Sequence, residues 1–422
     1  MQVAGIILLV FLMYFSLRTA LVDYLAESGR PGNLEKAISM DPENTRYRLA
    51  VVTRDLSSNS VSRSRVVEEL RQLLIQSPRN SDALMNLGLL EEAMGNIAEA
   101  ERYLKEAAAN DHTYKPSWTI ANFYFRTNAF DKMWPYIRRA IDVTTRQDKL
   151  HVFDLIPLYD LCWRTGTDPH FLLTLVPERE NTLITYFQYL AHHGHIEVAI
   201  AAFPRAIQFA TAAIPEHRAI FVEYIDLLFR EGRAKELVET WNQLVAKKII
   251  LSTEVHPERA AAVTNPEFEF PLETSAFGWR GPAINDQVQL SYTPHSIVFN
   301  ISGKQPDAVI LFEKNIAILP GKDYFLTWTA DGSEILKPAD LKESGIAVKL
   351  SNSKMNLPMR CSLFFAEETK RGCHFQLPAG PNGEPVLLTL RLVAERVTGS
   401  VRLRGAVRVT GFRLTFANGV TT

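Results

Sequence analysis

A chain of 422 residues is long enough for two or three domains, each with its own core. Its 46% apolar and 22% charged content excludes a disordered or low-complexity chain. A net charge of -1 offers no basic surplus, so nucleic acid is not an expected partner.

The first element in chain order is the uncharged run VAGIILLVFLMYFSL, Val3–Leu17, followed by Arg18. At about 1.5 Å per residue it reaches the short end of a bilayer span. Residues 1–26 therefore read as a membrane anchor, touching lipid through residues 1–17, or as a signal segment. A cleaved signal needs basic residues before the run and small residues at the cleavage site. Only Met1-Gln2 precede it and no A-x-A follows, which favours an uncleaved anchor. Arg18 and Arg30 by themselves favour keeping the rest of the chain in the cytoplasm.

Residues 27–251 read as paired helices. In NSDALMNLGLLEEAMGNIAEAERYLKEAAAND, Asn80–Asp111, Leu84, Leu87 and Leu104 form an apolar stripe. Gly88 and Ala100 are small where two helices must approach closely, and Gly95-Asn96 makes the turn between them. Weaker copies follow: Ala121, Asn128, Met133, Ile137 and Ala140; a unit turning at Gly166; a unit turning at Gly194; and one turning at Gly232 with Leu237, Trp241 and Leu244. Upstream, LEKAISMDP and LRQLLIQSP look like second helices of earlier units. These residues resemble the tetratricopeptide repeat, specifically in one unit and more loosely in the others.

The resemblance implies an α-solenoid in which the first helix of each pair lines a groove that binds a peptide or protein. Transferred position by position, the groove residues are Met85, Leu89, Glu92, Trp118, Asn122, Phe125, Arg126, Gln188, His192, Asp226, Phe229 and Arg230. Lys115, Asn86 and Asn122 echo a known clamp for a C-terminal carboxylate, but the full set is absent, so that ligand is not expected. Cys162, in LYDLCW, is expected to be a buried core thiol.

Residues 252–264 form a junction, and KKIIL just before it suggests packing rather than a loose tether. From residue 265 to 422 the spacing changes to two. NPEFEFPLE alternates Phe268, Phe270 and Leu272 with Glu267 and Glu269, which are expected on a strand's polar face. SIVFNISG, GIAVKLSNS, PVLLTLRLVAERV and their companions make seven to nine short strands, the signature of an antiparallel β-sandwich. Cys361 and Cys373 flank a hairpin-like segment and would form a disulfide if register set them opposite each other.

NPEFEFP…FGW, LPGKDYFLTW and the closing GAVRVTGFRLTF together resemble the jelly rolls of carbohydrate-binding modules and their galactose-binding-like relatives. That resemblance implies glycan docking on exposed aromatic and polar side chains, here Trp279, Arg280 and Tyr292. Trp328 is expected in the core. Arg402, Arg404 and Arg408, with Arg413, alternate with apolar residues, giving one basic face suited to an anionic polymer or left to solvent.

Anchor, repeat array and sandwich in one chain resemble bacterial proteins associated with exopolysaccharide production and export. The implied place is the bacterial inner membrane, single-pass, with the bulk of the chain periplasmic, against the weight of Arg18 and Arg30. No nucleophile elbow, phosphate loop, zinc motif or dinucleotide fingerprint is present, so neither catalysis nor a cofactor or metal is expected. The expected role is a non-enzymatic adaptor with a protein partner in the groove and a polysaccharide on the sandwich. The alternative is a protein-only scaffold, which requires Trp279 to be buried.

Overall fold

The computed structural model describes residues 2–28, 30, 32–58, 62–146, 155–282, 286–332, 345–352, 359–363, 369–378, 383–396, 398–399 and 402–417. The chain divides into two compact units, Met1–Thr182 and Leu183–Thr422. The fold is an α-solenoid of helix pairs followed by an antiparallel β-sandwich.

The first unit contains α1 (Gln2–Glu27), α2 (Asn33–Met40), α3 (Thr45–Ser58), α4 (Arg63–Gln76), α5 (Ser81–Ala93), α6 (Ile97–Asn110), α7 (Tyr114–Arg126), α8 (Phe130–Arg146), α9 (Ile156–Arg164) and α10 (Pro169–Leu175). The small residues do what their size requires. A Cβ added to Gly88 would stand 2.7 Å from Leu104 Cγ, and Ala100 and Leu104 are buried. Thus α5 and α6 touch where the sequence leaves out a side chain. In the next pair, Ala121, Met133, Ile137 and Ala140 are each 0% exposed.

Most of α11 (Glu180–His192) begins the second unit, followed by α12 (Ile196–Phe209), α13 (Pro215–Arg230) and α14 (Ala234–Ala246). One turn design joins four of the pairs in the chain. After α5, Gly95 N–H donates to Glu92 and Asn96 N–H to Glu91. The same two bonds recur at Asn128 and Ala129, at Gly194 and His195, and at Gly232 and Arg233. The wide bond closes the helix end as in a Schellman cap. It needs a left-handed residue, and Gly95, Gly194 and Gly232 supply one at φ 86°, 72° and 71°. Asn128 takes the position at φ 56°, a conformation asparagine tolerates.

The junction is packed. Trp241, 0% exposed, donates from Nε1 to the Thr253 carbonyl (3.1 Å), and Asn242 brackets Val255 through both of its backbone groups. Ile249, Ile250 and Val255 are buried.

Ten strands follow among the described residues: β1 (Trp279–Arg280), β2 (Val288–Thr293), β3 (Ser296–Ile301), β4 (Ala308–Ile318), β5 (Asp323–Asp331), β6 (Gly345–Ser351), β7 (Met359–Leu363), β8 (Thr369–Gln376), β9 (Val386–Glu395) and β10 (Gly405–Phe416). They form two five-stranded antiparallel sheets, β1-β4-β9-β6-β7 and β2-β3-β10-β5-β8. The pairs β3·β10, β4·β9, β5·β8 and β6·β7 nest one inside another and alternate between the sheets. That is the wrapping of a jelly roll. Inward residues of alternating strands meet in one core, where Trp279, Phe299, Phe312, Trp328, Leu390 and Phe412 are all buried.

One expected strand is not a strand. Residues 265–272 form an irregular loop. Pro266 and Pro271 have no N–H for a ladder. The Asn265 amide instead closes the loop, donating to Phe270 O (2.7 Å) and accepting from Phe270 N–H (3.0 Å). Phe268 is fully buried at φ 54°. Glu267 and Glu269 therefore do not share a strand face; Glu267 pairs with Arg413 at 2.5 Å.

Candidate protein-docking face

The four capped turns give the first helices a common frame. Leu89, Asn122, Gln188 and Asp226 each stand six residues before the turn residue of their pair. Equivalent positions can therefore be compared within each unit.

In the first unit this frame brings Leu89 of α5 and Asn122 of α7 to matching places. Leu89 is 39% exposed, whereas Met85, one helical turn earlier, is buried at 3% and belongs to the core. Trp118, Asn122 and Phe125 are half-buried and Arg126 is exposed. Each is held. The Trp118 ring lies against Tyr114 (6.0 Å between centroids). The Asn122 side chain donates to the Trp118 carbonyl (2.9 Å). Phe125 packs on Phe130 (5.9 Å), with the Arg164 guanidinium 5.3 Å from its ring centre. Arg126 grips Glu92 with two bonds, 2.7 and 2.6 Å. Lys115 pairs with Asp82 at 2.6 Å. Both ion pairs join residues of successive pairs, so the face is preorganised by its own repeat period. Away from these residues, Glu101 accepts from Lys105, Lys132 and Tyr124. The Lys105 ammonium foremost holds its carboxyl well below the usual range.

On α13 of the second unit the same position is engaged by the chain itself. Asp226 accepts the Ala276 N–H at 2.9 Å, and burial raises its carboxyl above the usual value. Arg218, on the same helix, pairs with Glu273 at 2.5 Å. Asp226 is therefore not an open groove residue, because the segment leading into the sandwich caps it. Phe229 is half-buried, and Gln188, His192 and Arg230 are exposed; His192 is bonded to Glu223 at 2.9 Å. Arg218 and Glu273 were not legible as a site, since their pairing spans 55 residues.

Trp279 does not present a ring to a sugar. It is 1% exposed, and its Nε1 donates to the carbonyls of Thr264 (3.1 Å) and Asn265 (3.2 Å). Strand β1 is only two residues long and pairs with Lys314 and Glu313, which turns the indole inward onto Phe312 (4.8 Å) and Phe412 (5.3 Å). Arg280 points the other way, paired with Glu313 (3.0 Å) and donating to Asn315 (3.3 Å). Tyr292 is half-buried and its hydroxyl donates to the Phe268 and Phe270 carbonyls (3.1 and 2.9 Å), so it braces the loop. Arg402, Arg404 and Arg408 are exposed while Leu403, Val407 and Val409 are buried, as the alternation requires. A cavity of about 230 Å³ lies against the paired strands β5 and β10, lined by Glu267, Thr327, Trp328, Thr329, Phe412 and Arg413 among others.

Beside Trp279 lies a group the sequence reading passed over. Lys314, 0% exposed, donates to Thr264 Oγ1 (2.6 Å) and to the Phe277 carbonyl, with its ammonium nitrogen 4.4 Å from the indole centre. Burial first, and the charge of Arg280 second, push its amine well below the ordinary lysine value. The adjacent charges Glu313 and Lys314 inside the largely apolar FEKNIAIL were the available signal, since alternation sends one of two neighbouring strand residues inward.

Cys162 is free, buried at 4%, and burial pushes its thiol up to about 12. Cys373 is disulfide-bonded; the Cys361 side chain falls outside the described residues.

No protein-family model matches the chain. No curated protein matches it. Among solved structures it is similar to YrrB, a TPR protein with an unusual peptide-binding site (12% identity, 51% of this chain and 92% of that one, TM-score 0.25). It is also similar to MamA protein (13%, 49% and 93%, 0.25) and to PilW, a widely conserved type IV pilus biogenesis factor (15%, 55% and 93%, 0.27). At such TM-scores these likenesses carry no functional argument.

Proposed function

We propose that the chain is a non-enzymatic, membrane-anchored adaptor that holds a protein partner on the face of α5 and α7. The observation that carries this reading is the cluster of exposed Leu89, half-buried Trp118 and Phe125, and exposed Arg126 on one preorganised face. Aromatic anchors beside an arginine are the make-up of an interaction hot spot. The sandwich serves as a second protein contact; the burial of Trp279, which a scaffold without sugar binding requires, supports that part. A non-catalytic role is in keeping with three sandwich carboxylates being tied to arginines: Glu267 to Arg413, Asp307 to Arg396 and Glu313 to Arg391. The apolar helix at the start and the disulfide at Cys373 support an inner-membrane protein with its bulk in the periplasm. The test is recovery of a crosslinked partner from host membranes with the intact chain and with Trp118→Ala/Phe125→Ala. Loss of the partner from a variant that melts like the parent is expected. Equal recovery would refute the face.

A second reading retains polysaccharide docking, in keeping with a place in exopolysaccharide assembly. It is favoured by the β5–β10 cavity, where the hydroxyls of Thr327, Thr329 and Thr410 meet an Arg413–Glu267 pair, polar groups of the kind that hydrogen-bond sugar hydroxyls. Calorimetric titration with the host's surface polysaccharide tests it. Heat abolished by Arg413→Ala would support it, and no heat with the parent chain would remove it.

A further inference from the structure

We infer that α1 is at once the membrane segment and the first helix of the first repeat, so that the helical array starts at the bilayer surface without a flexible tether. The inference rests on the anchor reading above and adds how the anchor is joined.

The front of α1 is apolar on every side. From Leu9 to Phe15, seven consecutive residues covering two helical turns are between 54% and 68% exposed. A helix that lies on a membrane keeps a polar face; the stretch Gln2–Leu17 carries no charge at all. Its sixteen residues reach about 24 Å. Arg18, whose long side chain extends toward an interface, makes up part of the remaining span. The occupant this surface fits is a lipid bilayer.

Without a break in the helix, the back of α1 then joins the protein. Arg18 donates to the Met40 carbonyl at the end of α2 (2.6 Å), Val22 is buried against Ala37 and Tyr47, and the Asn33 amide donates to Ser28 (2.9 Å). These contacts run in reverse order along the two helices, so α1 and α2 form an antiparallel pair like the repeats that follow. The next helix ties the pair down. Tyr47 donates to Asp23 at 2.6 Å, which pushes its hydroxyl up to about 12, and Arg46 pairs with Glu27 at 2.6 Å. Removing α1 as a signal would strip the first repeat of a helix and expose Ala37 and Tyr47, now 0% and 3% exposed. The pairing also carries the end of α2 back to the level of Arg18, so the α2–α3 turn faces the headgroups.

The test is hydrogen exchange and intact mass on the full chain purified from membranes into nanodiscs. Expected are an uncleaved N-terminus and amides 18–27 protected as strongly as those of α2. Val22→Asp should speed exchange in α2 about tenfold or more while leaving the chain resistant to alkaline extraction. A mature N-terminus at or beyond residue 18 would overturn the inference. So would rapid exchange across 18–27 with α2 and α3 still protected, which leaves the anchor standing but makes it a tether. Alkaline release with 18–27 protected would overturn it differently, by removing the bilayer and with it the anchor reading.

Discussion

The first-helix faces of α5 and α7 and that of α13 descend from one repeat pattern, yet they meet different fates. In the first unit the position six residues before the turn is an exposed Leu89 and a half-buried Asn122. In the second unit it is an exposed Gln188 on α11 and, on α13, Asp226, which is capped by the Ala276 amide of the leader, residues 265–278, that runs into the sandwich. A repeat thus sets where a docking face lies, but not whether the chain uses it internally. The residue types already differ accordingly. An acidic side chain suits an N–H donor that always stays in place, whereas leucine, tryptophan and phenylalanine suit an interface that desolvates on binding.

Four substitutions break or sharpen this contrast. The largest effect is expected from Trp241→Ala, which removes the fully buried ring that α14 sets edge-on against Phe277 of the leader (5.5 Å). A loss of about 3–5 kcal/mol in chemical unfolding of the second unit is expected, with the first unit's transition unmoved. Gly88→Val drives a side chain into Leu104 and should cost the first unit about 1–3 kcal/mol.

Lys314→Met acts in the opposite direction. Because the folded amine titrates below its unfolded value, the unfolded chain binds the extra proton, and the parent's stability falls as pH drops from about 10. The methionine variant should therefore gain on the parent as pH is lowered and match it most closely near pH 10. Thr264 keeps its bond to the Phe277 carbonyl in the variant (2.6 Å). The smallest effect is expected from Lys115→Ala. Its pair with Asp82 is exposed on both sides, and a change within about 0.5 kcal/mol at moderate salt would be ordinary.

The same contrast explains what the sequence revealed. The repeats were legible because their determinants are local: Gly88 faces Ala100 and Leu104 within one pair, and the turn residues recur at Gly95, Asn128, Gly194 and Gly232. Most strands were legible from alternation, as in β5, where Tyr324, Leu326 and Trp328 point inward. The leader was misread because its alternation mimics a strand, while two prolines and the Asn265 bracket make a loop. Trp279 was misplaced because a Gly-Trp-Arg turn looks exposed until β1 pairs with β4, across 35 residues. The filled face of α13 and the pairing of α1 with α2 both depend on contacts between segments that no local pattern encodes.

The most direct measurement places a photo-crosslinking amino acid at Asn122 in one chain and at Asp226 in another, in the native membrane. The expected result is an adduct with a separate protein at position 122, and none at 226 beyond the chain itself. An intermolecular adduct at 226 with none at 122 would contradict the assignment of the docking face to α5 and α7.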